Sequence, residues 1–199
     1  MSIFFTSDQH FGHENIIHLA KRPFKTVEEM DKALIRNWNL VVQPNDTVYV
    51  LGDFMHRSRF PVSFYLDQLA GLKILIRGNH DKISTMEAFD RAHTYLELEE
   101  HDQRFVLFHY PMLSWNKRGK GAIHLYGHVH QAVLPELQDR RAYNVGVELN
   151  DYTPISLETV VQLMETKPIL KSDGVKTSEK ESGNNTKNFG NEGTSVLPM

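Results

Sequence analysis

Five short, largely apolar runs divide this chain, and each is followed within a few residues by an aspartate, an asparagine or a histidine. Apolar runs of this length, rich in β-branched and aromatic side chains, are typical of buried strands. In a doubly wound arrangement, the carboxyl ends of neighbouring strands meet at one edge of a sheet, so we expect these polar residues to share a crevice. The runs and their followers are Ile3–Thr6 with Asp8 and His10, Thr47–Leu51 with Asp53, Lys73–Arg77 with Asn79 and His80, Arg104–Phe108 with His109, and Ile123–Tyr126 with His128 and His130.

The segments between these runs carry helix and turn signals. Thr26 and Glu29 form the pattern of a capping box, which opens a helix whose apolar face carries Met30, Leu34 and Trp38. This alternation of strands and helices predicts an α/β fold. Further predicted elements are a helix over Pro61–Ala70 ended by Gly71, a hairpin of Tyr95–Glu99 with Arg104–Phe108, a strand over Arg141–Leu149 with Gly146 inside it, and a last helix over Pro154–Met164.

The chain length bounds the domain organisation. A chain of 199 residues with 40% hydrophobic residues suits one globular domain, to which we assign residues 1–170. After about Lys171 the composition shifts to Lys, Ser, Thr, Glu, Asn and Gly, which is too polar to bury a core. Residues 171–199 are therefore predicted to be a disordered tail.

Charge and hydropathy argue against two classes of partner. The formal net charge is -3, so overall attraction to phosphates cannot drive non-specific nucleic-acid binding. The apolar runs fall far short of the roughly 18 residues needed to span a bilayer, and Met1–Ser7 lacks the basic start of a signal peptide. We expect a soluble, cytoplasmic protein with no membrane partner, and the sequence leaves its oligomeric state open.

The residues that follow the runs form a set of nitrogen and oxygen ligands. The chain has no cysteine, which excludes disulfides, thiolate zinc sites and iron–sulfur clusters. Two carboxylates, one amide oxygen and several imidazoles suit divalent cations such as Mn, Fe, Zn or Ni. These candidate ligands exceed what one cation would use, and they match two ions roughly 3.5 to 4 Å apart with a carboxylate between them.

The motifs that carry these ligands are Asp8-x-His10, Gly52-Asp53, Gly78-Asn79-His80-Asp81, His109 within Phe-His-Tyr-Pro, and Gly127-His128-x-His130. In order and approximate spacing they resemble the calcineurin-like metallophosphoesterases, over residues 3 to about 150. The resemblance implies a sandwich of central mixed β-sheets flanked by helices. The segment Thr6–Ile16 further resembles compact bacterial and phage members of that family. Gln9 departs from the commoner family pattern, which has Leu, Thr or Ile there, but its neighbours match.

The resemblance implies a role for each motif residue. One divalent metal ion would be held by Asp8, His10 and His130, the other by Asn79, His109 and His128, and Asp53 would bridge the two. The expected ions are manganese first, with iron, zinc or nickel as alternatives. The implied chemistry is in-line attack on phosphorus by a hydroxide that bridges the metals.

Residues next to the ligands are expected to handle protons and substrate. The resemblance implies that His80 is the general acid and that Asp81 orients the His80 ring and keeps it protonated. Asn79 and His80 would also contact the substrate. His13, together with Asn15, either binds substrate or orders His10, or it simply begins a helix. Arg77 either contacts a phosphate or forms a structural ion pair.

The substrate is less constrained than the metals. Phosphatase and phosphodiesterase activities both fit, and we favour a phosphorylated small molecule, with a nucleotide-like phosphodiester ahead of a phosphomonoester. The loop Ser114–Gly121 combines an aromatic side chain with three cations, which could stack a base and attract phosphate. A nuclease or nucleic-acid end-processing phosphatase is therefore the alternative, disfavoured by the negative charge. A protein phosphatase and a non-catalytic protein-binding scaffold are weaker alternatives.

Overall fold

Two β-sheets face each other in the computed structural model, which describes residues 1–170. The strands are β1 (Ile3–Thr6), β2 (Thr47–Val50), β3 (Leu72–Ile76), β4 (Arg91–His93), β5 (Tyr95–Glu100), β6 (Gln103–Phe108), β7 (Ile123–Tyr126), β8 (Ala142–Asn144) and β9 (Ile155–Ser156). The α-helices are α1 (Glu14–Leu19), α2 (Val27–Val41), α3 (Val62–Leu66), α4 (Ile83–Ala88), α5 (Pro135–Gln138) and α6 (Leu157–Glu165). Short 3-10 turns span Arg118–Lys120 and Val147–Leu149.

Both sheets are mixed. The five-stranded sheet has the order β4-β3-β2-β1-β9, in which β1 to β4 run parallel and β9 is antiparallel to β1. The four-stranded sheet has the order β5-β6-β7-β8, in which only the β5–β6 pair is antiparallel. The carboxyl ends of β1, β2, β3, β6 and β7 thus carry all the predicted ligands, and the expected sandwich of mixed sheets is confirmed.

The alternation of side chains along each strand divides the core into layers. Phe5 on β1 packs with residues of both sheets and of α6 in the layer between the sheets, whereas its neighbour Phe4 packs under the helices on the outer face. Burying a side chain of this size contributes roughly 1.5–3 kcal/mol. The inter-sheet layer also includes Leu51, Ile76, Phe105, Leu107, Ile123 and Leu125, each of which is fully buried. Leu51, Ile76, Leu107 and Leu125 lie within one residue of the strand ends, so their burial fixes where the polar loops leave the sheets.

Helix α2 forms as its sequence predicts. The Thr26 hydroxyl accepts the Glu29 N–H at 3.2 Å, while the Glu29 carboxylate accepts the Lys25 N–H at 2.8 Å. The apolar stripe packs against the five-stranded sheet, and Trp38 Nε1 donates to the carbonyl of Ala70 at 3.0 Å.

Three predicted elements are shorter than expected. The helix predicted over Pro61–Ala70 ends after Leu66, because Gln68 and Leu69 turn more tightly, with N–H bonds to residues three positions earlier. The last helix begins at Leu157 rather than Pro154, since the Ser156 side chain caps it after strand β9. Helix α4 and strand β4 were not predicted.

The strand predicted over Arg141–Leu149 is the third, and its early end has a structural cause. Strand β8 stops at Asn144, whose side-chain oxygen accepts the Gly146 N–H at 2.8 Å. The chain then crosses to the other sheet, where the Val147 N–H donates to the carbonyl of Ser7 at 3.1 Å. This crossing brings Glu148 beside the end of β1.

Two expectations concern features beyond the sheets. Within residues 1–170, the helices are too short or too polar to cross a bilayer. The predicted disordered tail, residues 171–199, lies outside the described part of the chain.

Candidate metal centre

Two clusters of potential metal ligands lie at the edge where the strands of both sheets end. In the first, which we call the Asp8 half-site, ligand atoms of Asp8, His10 and His130 lie within 4.8 Å of one another. In the second, the His109 half-site, the same holds for Asp53, His109 and His128. Each cluster offers one carboxylate and two imidazoles, a donor set suited to a divalent transition metal.

Asp53 lies between the two half-sites. Its Oδ2 is 3.7 Å from His10 Nε2 in the Asp8 half-site and 3.5 Å from His109 Nε2 in its own. The other oxygen, Oδ1, accepts the His80 N–H at 2.8 Å. One carboxylate oxygen is thus within reach of ligands from both clusters, which is the placement that a bridging ligand requires.

Asn79 joins the His109 half-site through its side chain. Its Oδ1 is 3.1 Å from His109 Nε2, and the opposite ring nitrogen, Nδ1, is 2.6 Å from the carbonyl of Leu51. If Nδ1 donates its proton to that carbonyl, Nε2 has a lone pair that faces the lone pairs of Asn79 and Asp53. Acceptors that converge in this way fit a cation among them.

His10 provides the corresponding observation in the Asp8 half-site. The residue is 2% exposed, and neither ring nitrogen has a hydrogen-bond partner. Burial lowers the pKa of His10 to about 2, so the imidazole is neutral at ordinary pH. Buried polar nitrogens without partners are costly, and a metal ion would give one of them a partner.

The two carboxylates have opposite electrostatic environments. Burial raises the pKa of Asp8 to about 6, despite the opposing charges of His109 and His130. Burial acts in the same direction on Asp53, but the His109 imidazole and the His80 N–H outweigh it, and the pKa of Asp53 falls to about 2. A cation at the Asp8 half-site would therefore compete with a proton in mildly acidic solution, whereas Asp53 stays ionised.

Ligand-bearing loops adopt an uncommon backbone. Five of the residues in the two half-sites have positive φ: Asp8 (61°), His10 (52°), Asp53 (54°), His128 (70°) and His130 (49°). Such angles are costly for residues with a side chain and cluster at functional sites. Hydrogen bonds between the loops stabilise them, since the N–H groups of Asp8 and His10 donate to the carbonyls of Gly52 and Asp53, each at 3.0 Å.

Glycines allow the loops to approach this closely. A Cβ at Gly127 would collide with the side chains of Ser7 and Asp8, and one at Gly78 would collide with Asp53. At both positions the atoms in the way belong to the ligand loops themselves.

The predicted role of Asp81 is wrong. Instead of orienting the His80 ring, its carboxylate accepts backbone N–H groups, from Asp53 and Gly78 at 2.8 Å and from Phe54 at 3.1 Å. The residue is 2% exposed. Asp81 therefore ties the loop after β2 to the loop after β3, and it acts on the site through the backbone of Asp53.

Three further histidines surround the ligands. The rings of His56 and His80 are 4.2 Å apart, and those of His13 and His56 are 4.6 Å apart. His80 Nε2 lies 3.9 Å from Asp53 Oδ2. Burial, aided by the charge of His56, lowers the pKa of His13 to about 4, so His13 is a neutral side chain beside the site.

A cleft of about 540 Å³ opens beside these histidines. His13 and His80 line it together with the candidate ligands His10 and His130. This position is compatible with a contact between His13 and substrate, which stays a prediction. The rest of the lining combines the apolar residues Ile16, Leu19, Ala20, Val129 and Ala132 with the polar residues Lys21 and Gln131.

Other predicted substrate contacts lie elsewhere. Arg77 is exposed, and its Nε is 3.4 Å from the carbonyl of Asp81, outside the lining of this cleft. Asn15 is an exposed residue of α1 that also does not line it. Trp115 is 7% exposed and donates to the carbonyl of Ala122 at 2.9 Å, so it is a core residue. The expectation that the loop Ser114–Gly121 stacks a base is therefore wrong.

Sequence reasoning missed two residues that support the site. Arg22 and Glu148 form an ion pair whose side chains are 0% exposed, and Glu148 Oε1 is 2.8 Å from His130 Nδ1. Each residue alone resembles an ordinary surface charge. Because the two residues lie 126 positions apart, no local pattern in the sequence connects them.

Comparison with known proteins agrees with this geometry. The family model of the calcineurin-like phosphoesterase superfamily domain matches residues 1–163. The uncharacterized protein MJ1445 of Methanocaldococcus jannaschii is 37% identical over 176 residues, covering 85% of this chain and 95% of that protein. The Gene 66 protein of Mycobacterium phage L5 is 28% identical over 177 residues, covering 72% of this chain and 85% of the phage protein.

A solved structure gives the same result. The crystal structure of AQ665 from Aquifex aeolicus, a protein of unknown function, matches with a TM-score of 0.68 and 32% sequence identity. The match covers 81% of this chain and 98% of that one.

Proposed function

Since the chain belongs to the calcineurin-like phosphoesterase superfamily, we propose that it is a hydrolase that cleaves phosphoric esters with the help of two divalent metal ions. The observation that carries this proposal is the position of Asp53 Oδ2, within 3.7 Å of an imidazole nitrogen in each half-site. Two equivalent donor sets that share one carboxylate are the arrangement that a two-metal phosphoesterase needs.

The residues that would hold the ions are those of the two half-sites, with Asn79 as a further ligand beside His109. Bound there, the ions would neutralise charge on the phosphoryl oxygens and lower the pKa of a water molecule. We favour manganese because the donor set mixes carboxylate oxygens with imidazoles.

His80 is the residue best placed to handle a proton. It lines the cleft, is about one-third exposed at its side chain, and is fixed by the bond from its N–H to Asp53. In the proposed reaction its ring donates a proton to the leaving oxygen as the ester bond breaks. Asp81 contributes indirectly, because its bonds to the N–H groups of Asp53 and Gly78 hold both loops in place.

The cleft supports the choice of substrate. A volume of about 540 Å³ falls in the range of small-ligand sites. Because apolar residues line the cleft beside the histidines, together with Lys21 and Gln131, the proposed substrate has a phosphoester joined to an apolar or planar alcohol group. A nucleotide-like phosphodiester fits this description, and the burial of Trp115 removes the aromatic side chain that would have stacked a base of a nucleic acid.

The test combines metal reconstitution with two variants. Metal-stripped protein reloaded with Mn should hydrolyse an aryl phosphodiester, an aryl phosphomonoester or both. His80→Ala should lower kcat by roughly 10²- to 10⁴-fold, because it removes a general acid, while both ions stay bound. His101→Ala is the matched control, since His101 is exposed in the turn between β5 and β6, at the opposite end of those strands.

The outcomes separate the alternatives. Absence of turnover with Mn, Fe, Zn and Ni would contradict the proposal and favour the non-catalytic scaffold. Cleavage of polynucleotides alone would favour a nuclease. Bound metal should be counted by elemental analysis in every variant, so that a loss of rate is not mistaken for a loss of metal.

A further inference from the structure

We propose that the buried pair of Arg22 and Glu148 is a positioning device for the Asp8 half-site, holding His130 and the Asp8 loop in the arrangement that accepts a metal ion. The inference rests on the proposed metal centre and adds residues that act on only one of its two halves. Neither residue is a proposed ligand.

The pair is placed where charge is costly. Arg22 Nη2 and Nε lie 2.6 and 3.0 Å from Glu148 Oε1, and both side chains are fully buried. Desolvation offsets most of the attraction in a buried ion pair, so such a pair adds little net stability. In addition, Glu148 Oε2 is buried without a hydrogen-bond partner. Stability alone does not account for this arrangement.

Glu148 acts on the half-site through His130. Its Oε1 is 2.8 Å from His130 Nδ1, a distance at which the ring nitrogen donates its proton to the carboxylate. With the proton on Nδ1, the other ring nitrogen, Nε2, keeps its lone pair for a metal ion. The carboxylate thereby fixes both the orientation of the ring and the tautomer that can bind.

Arg22 acts on the other two ligands through the backbone. Its Nη2 donates to the carbonyl of Asp8 at 2.6 Å and its Nη1 to the carbonyl of Gln9 at 2.8 Å. These carbonyls lie between Asp8 and His10, both of which have the costly left-handed backbone. One guanidinium group thus stabilises the loop that carries two ligands, while its salt-bridge partner orients the third.

The His109 half-site has no share in these contacts. Within residues 1–170, the side-chain hydrogen bonds of Arg22 and Glu148 run to Asp8, Gln9, Met30, His130 and each other. His109 is instead fixed by the carbonyl of Leu51. The inference therefore predicts that losing the pair weakens the binding of one metal ion and leaves the binding of the other unchanged.

The test measures Mn binding by the full chain carrying Glu148→Ala. Calorimetry should show one of two Mn sites weakened by about 10- to 100-fold, and the electron paramagnetic resonance signal of a coupled Mn pair should give way to that of a single ion. Glu148→Gln, which keeps an acceptor oxygen, should restore much of the binding. Arg22→Lys should weaken the same site, because an ammonium group lacks the planar set of N–H donors with which the guanidinium binds the Asp8 carbonyl and the Glu148 carboxylate together.

Controls distinguish positioning from general destabilisation. Val160→Ala removes buried apolar contacts between the sheets and should lower the unfolding temperature without changing Mn stoichiometry. In Zn-loaded wild-type protein, ¹⁵N NMR should find His130 protonated at Nδ1 and metal-bound at Nε2. This measurement uses wild-type protein alone, so it does not depend on whether a variant folds.

Three results would overturn the inference: unchanged affinity at both sites in Glu148→Ala, equal weakening of both sites, or metal bound at His130 Nδ1. If wild-type protein itself binds no Mn, Zn, Fe or Ni, the proposed function fails before this inference is reached. If wild-type protein binds two ions and Glu148→Ala binds them with the same two affinities, only the positioning role is lost.

Discussion

The Asp8 and His109 half-sites have the same donor chemistry but are supported in different ways. His130 is oriented by a charged side chain, Glu148, whose partner Arg22 lies 126 residues away in the sequence. His109 is oriented by the carbonyl of Leu51, which belongs to the backbone just after β2. One half-site therefore depends on a specific pair of side chains, whereas the other follows from the strands themselves.

The ligands of the two half-sites are similarly buried. Asp8 and His10 are 0% and 2% exposed, and His109 and Asp53 are 0% and 2% exposed. The difference between the half-sites therefore lies in what orients their histidines, and not in how deeply the ligands are buried.

The largest effect should come from removing what the half-sites share. Asp53→Asn takes away the carboxylate between them, so it should weaken both ions and lower kcat/KM by on the order of a thousandfold, equivalent to roughly 4 kcal/mol. The measurement is metal content together with hydrolysis of an aryl phosphodiester. Asp67→Asn, at an exposed position after α3, is the matched control. Retention of both ions at wild-type affinity would contradict this prediction, because Asp53 would then be a ligand in neither half-site.

A smaller effect should separate the halves. His128→Asn leaves the Asp8 half-site intact, and His130→Asn leaves the His109 half-site intact. The Mn that remains in His128→Asn should be held about 10- to 100-fold more tightly than the Mn that remains in His130→Asn, since a carboxylate-bonded histidine is the better ligand. Competition with a chelator, followed by elemental analysis, gives the two affinities. Equal affinities would show that the Glu148 support has no consequence for binding.

The smallest effect concerns a histidine outside both half-sites, which supplies a baseline for the comparison. His124 is fully buried on β7, where Nδ1 lies 3.0 Å from the carbonyl of Val106 and Nε2 accepts the Met112 N–H at 3.1 Å. Burial lowers the pKa of His124 to about 4 from the usual 6.5. As pH falls below about 6.5 the unfolded chain takes up a proton that the folded chain refuses, so stability falls until about pH 4.

The expected loss in the free energy of unfolding is about 1 kcal/mol between pH 6.5 and about pH 5.5. Denaturant unfolding of metal-free protein at each pH measures it, and this loss should be absent from the stability-against-pH curve of His124→Gln. A wild-type curve no steeper than that of the variant would contradict the assignment, and acid sensitivity would then belong to the half-sites.

Much of the fold follows from local signals in the sequence. Strands β1, β2 and β3 are predicted because their apolar runs have to be buried, and α2 because Thr26 caps it. The candidate ligands follow with them, since each stands directly after such a run. Their convergence needs only the rule that strand ends share an edge.

The supporting residues could not be predicted in the same way. Glu148 lies beside His130 only because the chain leaves β8 after Asn144 and crosses to Ser7, and that crossing is a tertiary event. Asp81 shows the same limit, because its neighbour in sequence is His80 but its hydrogen bonds go to backbone N–H groups of Gly78 and the loop after β2. Proximity along the chain indicates the wrong partner when the backbone competes for the same carboxylate.

The hydrogen bond from the His128 N–H to the Asp8 carboxylate joins positions 120 residues apart, at 3.0 Å from Oδ2. A nascent chain leaving the ribosome would therefore carry Asp8 and His10 for most of its synthesis without the residues that complete their cluster. Contacts of such long sequence separation need both segments of the chain, and the entropy lost in closing the long loop between them slows folding. Uptake of a full pair of cations would thus mark a molecule that has finished maturing, and in a cell it could distinguish such molecules from partly folded ones.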